Sequence, residues 1–131
     1  MFLDASAVVS MIALEPDASQ LVGRLQSAPS RLASAIVVYE ATLAVARLKN
    51  RSITSASAIV SGFMDAAKAT VVPIDGPVAS LALDAFERYR KGRHRAALNM
   101  GDCFSYACAK AHEVPLLFKG TDFALTDVAV A

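Results

Sequence analysis

Four short strand-like segments punctuate this chain: Met1–Leu3, Arg31–Ser34, Thr70–Ile74 and Pro115–Phe118. Between them lie long stretches whose apolar residues recur at helical spacing. That alternation predicts an α/β fold. Parallel strands need crossover connections, usually helical, and bury both of their faces. A parallel sheet covered on both sides is therefore expected, with any functional site beyond the carboxyl ends of its strands.

The helices are read from period and punctuation. One is expected over Ala5–Leu14, broken by Glu15-Pro16. A second starts at a capping box, Asp17-Ala18-Ser19-Gln20, and stops at Ala28-Pro29-Ser30. Others run over Ala35–Leu48, from Thr54 to Lys68, from Val78 through Tyr89 to Gly92, and over Asp102–His112. Asp75-Gly76-Pro77 and Lys119-Gly120 read as turns, and Val128–Ala131 as a last strand.

At 131 residues the chain has the size of one domain, taken as 1–131. It is 55% hydrophobic and 19% charged, so it can fill a core and leave apolar surface for an interface. Self-association is expected. No uninterrupted apolar run approaches the roughly 18–20 residues that span a bilayer, and the start has no basic leader segment. A soluble, cytoplasmic protein is expected. Cys103 and Cys108 match no metal or redox spacing and point to different faces of one helix, so they read as buried free thiols.

Four carboxylates stand in the most apolar or most sharply punctuated stretches: Asp4, Glu40, Asp102 and Asp122. Three of them have a plain structural role to weigh. Asp4 could cap the first helix, Asp102 after Gly101 is a natural N-cap, and Asp122 suits an Asx turn. Glu40 resists such an account. Its helical neighbours Ile36, Val37, Leu43 and Ala44 are all apolar, so it either snorkels or faces a polar pocket. Asp4 and Asp122 follow strands and so belong to the functional edge of the sheet. Carboxylates gathered there cannot all stay ionised without positive charge. Mg²⁺ or Mn²⁺ would supply it, since both favour oxygen ligands and suit phosphoryl chemistry.

Other templates fit poorly. There is no GxGxxG, no P-loop and no GxSxG elbow. Ser6 stands where an aspartyl-phosphate enzyme would carry a second acid. His94 and His112 lie far apart and read as surface or nucleic-acid-facing residues rather than catalysts. Arg88, Arg90, Lys91, Arg93 and Arg95 are five of the 13 cationic residues in a chain of net charge +1. Such a run is either a solvated face or a phosphate-holding flank of the acidic pocket.

Several stretches resemble the PIN-domain ribonucleases, specifically the VapC toxins of toxin–antitoxin modules. They are Met1-Phe2-Leu3-Asp4-Ala5-Ser6-Ala7, Glu40 in its apolar helix, Ala97-Leu98-Asn99-Met100-Gly101-Asp102-Cys103-Phe104-Ser105-Tyr106-Ala107, and Pro115 to Phe123 continuing to Thr126-Asp127. The resemblance spans the whole chain. It implies a small three-layer α/β/α sandwich with a short, mainly parallel sheet. It implies Asp4 and Asp102 as central metal ligands, Glu40 and Asp122 completing the acidic pocket, and Ser6 as a supporting hydrogen-bond partner. It also implies RNA cleavage with Mg²⁺ or Mn²⁺, a homodimer, and neutralisation by a VapB-type antitoxin. Thr121 stands where members of that family vary, often carrying Asn, so the resemblance assigns it no part in the pocket, and Asp127, a further acid near Asp122, is left open as a minor ligand. The alternatives are a PIN-like module that binds nucleic acid or protein without cutting, and a nuclease acting on DNA.

Overall fold

The computed structural model describes all 131 residues. The four expected strands form one sheet: β1 (Phe2–Leu3), β2 (Leu32–Ser34), β3 (Thr70–Val72) and β4 (Leu116–Leu117). Their order is β3-β2-β1-β4 and every pairing is parallel. Six helices connect them: α1 (Ala5–Ala13), α2 (Ala18–Ser27), α3 (Ala35–Leu48), α4 (Ile53–Ala67), α5 (Gly76–Tyr89) and α6 (Met100–Ala111). Each crossover thus carries two helices.

Successive strand residues point to opposite faces. Phe2 and Leu3 of β1, and Leu116 and Leu117 of β4, are all fully buried. Both faces of the sheet centre are therefore covered, as the expected sandwich requires. On α5 the buried residues Val78, Ala82, Ala85 and Tyr89 form one helical stripe, and this helix packs along α6. No helix is long and apolar enough to cross a membrane.

The connectivity places the site. From β1 the chain steps outward to β2 and β3, then returns to the far side of β1 with β4. The order reverses between β1 and β4, and the crevice beyond their carboxyl ends is the favoured position for a ligand. Asp4 leaves β1 there, and Phe118–Asp122 leaves β4.

Some local expectations need correction. Asp17 makes no side-chain cap on α2, so the capping box with Gln20 does not form. Its carboxylate instead accepts from Ser10 Oγ at 2.6 Å, tying α2 back to α1. The α6 N-cap is Asn99, not Asp102, because Met100 and Gly101 are already helical. Helix α5 ends at Tyr89, ahead of Gly92, which lies in the following turn with φ +84°. Val128–Ala131 contributes one bridge, Val130 to Leu116, rather than a strand. Cys103 and Cys108 are buried and unpaired, as expected.

Candidate active site

Asp4 is the first residue after β1 and is only 4% exposed. It does cap α1. Its Oδ2 accepts from Ser6 N at 2.9 Å and from Ser6 Oγ at 2.5 Å. Capping uses one oxygen only, and Oδ1 accepts no hydrogen bond, so the capping role and a ligand role coexist. Ser6 Oγ in turn accepts from Lys119 N at 3.0 Å, joining the segments that leave β1 and β4.

Glu40 lies midway along α3, half-buried, and its carboxylate makes no hydrogen bond or ion pair. It rests against Gly101, where any Cβ would overlap both carboxylate oxygens. Burial raises its pKa, and the charges of Asp4 and Asp102 push it further up. The apolar surroundings in sequence are thus explained by a polar pocket rather than by snorkelling.

Asp102 is the third residue of α6. Its Oδ2 accepts from Asn99 N at 2.8 Å while Asn99 Oδ1 accepts from Asp102 N at 3.0 Å, a reciprocal capping box. Burial pushes its pKa up to about 6; the Asn99 bond opposes this, and Asp4 and Asp122 add to it. Asp4, Glu40 and Asp102 line one cleft of about 450 Å³, together with Ser6, Glu15, Arg47, Asn99 and Lys119.

Asp122 is exposed and opens a short 3-10 helix, Phe123–Leu125, without a side-chain cap bond. A turn role does not account for it. It is not part of the cleft lining, yet its charge reaches Asp102. Thr121 is exposed beside it, with no side-chain bond. Asp127 is engaged elsewhere. Tyr106 Oη donates to it at 2.7 Å and Tyr89 Oη at 3.1 Å, with Arg88 and Lys110 each at 3.5 Å. The Tyr106 bond leads in drawing its pKa down to about 2.

The basic run is not brought to the cleft. Arg88 pairs with Asp84 and Asp127 and stacks over Tyr89. Arg90 and Arg93 both pair with Glu87, at 2.9 and 2.8 Å. Lys91 and Arg95 are exposed without partners. The cations that do line the cleft are Arg47 and Lys119, which the linear reading passed over. Arg47 had a usable signal: Glu40, Ala44 and Arg47 share a helical face at i, i+4 and i+7.

Lys119 is held by Glu15 at 2.5 Å and lies 3.9 Å from Asp17. Asp4, Glu40 and Asp102 are left facing the cleft with no cation paired to them. No three acidic, histidine or cysteine side chains close into a ready cage. The donors are all carboxylate oxygens in an open cleft with room for water, which fits a hard divalent cation such as Mg²⁺ or Mn²⁺.

The PIN domain family matches residues 1–129. A ribonuclease VapC of Mycolicibacterium smegmatis is 41% identical, covering 98% of both chains. A VapC ribonuclease of Rhizobium meliloti is 40% identical, covering 97% of this chain and 98% of its own. One of Mycobacterium tuberculosis is 38% identical over 98% and 96%. Among solved structures, a Mycobacterium tuberculosis VapC toxin that cleaves the sarcin–ricin loop superposes with a TM-score of 0.77 at 14% identity, over 99% of this chain and 97% of its own. A toxin–antitoxin complex from Klebsiella pneumoniae gives 0.69 at 18%, over 99% and 95%. These two share the fold. The chain belongs to the PIN-domain family, in its VapC ribonuclease branch.

Proposed function

We propose that this protein is the ribonuclease toxin of a toxin–antitoxin pair, hydrolysing RNA phosphodiesters with Mg²⁺ or Mn²⁺. The observation that carries this reading is the convergence of Asp4, Glu40 and Asp102, from three separate elements, on one cleft at the sheet's switch point. Asp4 and Asp102 would hold the cation. Glu40 and Asp122 would complete the pocket, directly or through water.

A bound divalent ion supplies the charge that three unpaired carboxylates lack, and it acidifies water and neutralises phosphate charge. The chain's own part is orientation. Ser6 fixes Asp4, Asn99 fixes Asp102, and Gly101 leaves room for Glu40. Glu40, free of hydrogen bonds, can accept one from an incoming water. In-line hydrolysis would leave a 3′-hydroxyl and a 5′-phosphate.

A VapB-type antitoxin is the proposed partner, supported by the VapC relatives. A homodimer is proposed for the free protein, supported by exposed Leu83, Phe86 and Met100 around an apolar cleft between α5 and α6. A cytoplasmic location accords with both partners.

The test is cleavage of RNA, with DNA in parallel, by purified antitoxin-free protein supplied with Mg²⁺ or Mn²⁺. Asp4→Asn and Asp102→Asn should each abolish RNA cleavage. Undiminished cleavage by both variants overturns the mechanism.

A further inference from the structure

Arg47 is the one cation on the cleft wall that nothing in the protein claims. Lys119, the other, is committed to Glu15 and lies near Asp17. Arg24 and Arg31 spend their guanidinium groups on backbone carbonyls, and Arg88, Arg90 and Arg93 on carboxylates. Arg47 makes no hydrogen bond or ion pair, although three unpaired carboxylates share its cleft. It is exposed, so the cleft does not need it for packing.

Its placement is specific. Glu40, Ala44 and Arg47 present one face of α3 to the cleft. Seven residues of helix separate Glu40 from Arg47 by about 10 Å along the axis. Helical side chains lean toward the N-terminus, so Arg47 leans toward the acids from the far end of the wall. A guanidinium is built to grip phosphate through paired N–H donors. At that separation it serves a phosphate next to the reacting one, not the reacting one itself.

We infer that Arg47 is a substrate-positioning residue that anchors a phosphate flanking the scissile bond of a single-stranded RNA. This rests on the ribonuclease reading above. It also assigns the phosphate-holding role to the cleft wall rather than to the basic run after α5. Arg47 has one competing duty: in the last turn of α3 it complements the helix dipole. That duty affects stability alone.

The experiment is steady-state cleavage of a random-sequence single-stranded RNA pool with Mg²⁺, over a series of KCl concentrations. Arg47→Ala should raise KM roughly tenfold, the loss expected for one charge-assisted contact, with kcat within about twofold. The slope of log kcat/KM against log salt should flatten by about 0.7, the value for one phosphate contact on a single strand. Arg47→Lys should restore most of that slope. Arg51→Ala, a cation outside the cleft, should leave both quantities unchanged. Wild-type cleavage with an Arg47→Ala variant of unaltered KM and slope overturns the role of Arg47 and leaves the ribonuclease reading intact. A wild type that cleaves no RNA overturns both. A fall in kcat alone would mark a structural role and also overturn the inference.

Discussion

The carboxylate of Glu40 rests against the backbone of Gly101, in the space that a side chain at residue 101 would occupy. Two helices far apart in sequence therefore meet through the absence of a Cβ. The displaced group in a Gly101→Ala variant would be the tip of a flexible side chain, so the fold should survive. Helix propensity even favours Ala. Glu40 would have to move, and displacement of a positioned group by about 1 Å can cost 10²-fold in rate. Gly101→Ala should thus cut RNA cleavage by roughly 10²-fold while its melting temperature stays within about 3 °C of wild type. Normal activity in this variant would show that the position of Glu40 is immaterial.

Ser6 bridges two strand ends, donating to Asp4 Oδ2 and accepting from Lys119 N at 3.0 Å. Ser6→Ala deletes both bonds and leaves Asp4 with its backbone cap alone. A stability loss of about 1 kcal/mol is expected from such bonds. Groups that orient a metal ligand typically matter 10- to 100-fold, so the divalent-ion concentration for half-maximal cleavage should rise by roughly that factor. Titration of Mn²⁺ against cleavage rate measures it. An unchanged midpoint would make Ser6 a capping residue only.

Asp127 gives a pH signature independent of the cleft. Its pKa is drawn down to about 2 by the Tyr106 bond, with Tyr89, Lys110 and Arg88 assisting. A depressed carboxylate pKa contributes stability above its unfolded value, near 3.8, and that stability is lost as pH falls through about 2. The side chain is 49% exposed, so the contribution is discounted for screening to about 1 kcal/mol. Asp127→Asn should lower the melting temperature at pH 7 by roughly 3–5 °C. The gap should close between pH 4 and pH 2. RNA cleavage below the melting range should be unaffected. A gap that persists at pH 2 would count against the charge argument.

The acids were legible in sequence for different reasons. Asp4 follows a strand at the functional edge, and Glu40 has only apolar neighbours three and four residues away on its helix, so both stand out in one dimension. Their convergence needs the sheet order, because only the return of β4 beside β1 brings Lys119 and the Asp122 segment to Asp4. The basic run misled for a similar reason. Asp84 and Glu87, in the last turns of α5, pair with Arg88, Arg90 and Arg93 and hold three of the four arginines locally. Gly101 matters only through the relative position of α3 and α6, which no spacing within either helix reveals, whereas Arg47 shares the helical face of Glu40 and was within reach of its spacing. The Asn99 cap is obscured because Gly101 reads as lying ahead of the helix and Asp102 as its N-cap, whereas Gly101 is helical and admits Glu40.

Asp102 should be unfavourable to the metal-free fold. Burial lifts its pKa to about 6, from 3.8. A raised carboxylate pKa means that the folded protein holds the proton more tightly than the unfolded chain. Stability therefore falls as pH rises from about 4 to about 6, and the penalty is complete above that. Asp102→Asn removes the charge but keeps an oxygen to accept from Asn99 N, so the capping box can persist. In EDTA at pH 7 the variant should be more stable than wild type by about 1–2 kcal/mol, after discounting for partial exposure. The difference should vanish near pH 4. Saturating Mn²⁺ should reverse the order, because only the wild type gains binding free energy from the ion. Thermal melts in EDTA and in Mn²⁺ across this range measure both effects. Equal melting temperatures in EDTA at pH 7 would refute the burial penalty, and an equal Mn²⁺ response in the two proteins would remove Asp102 from the cation site.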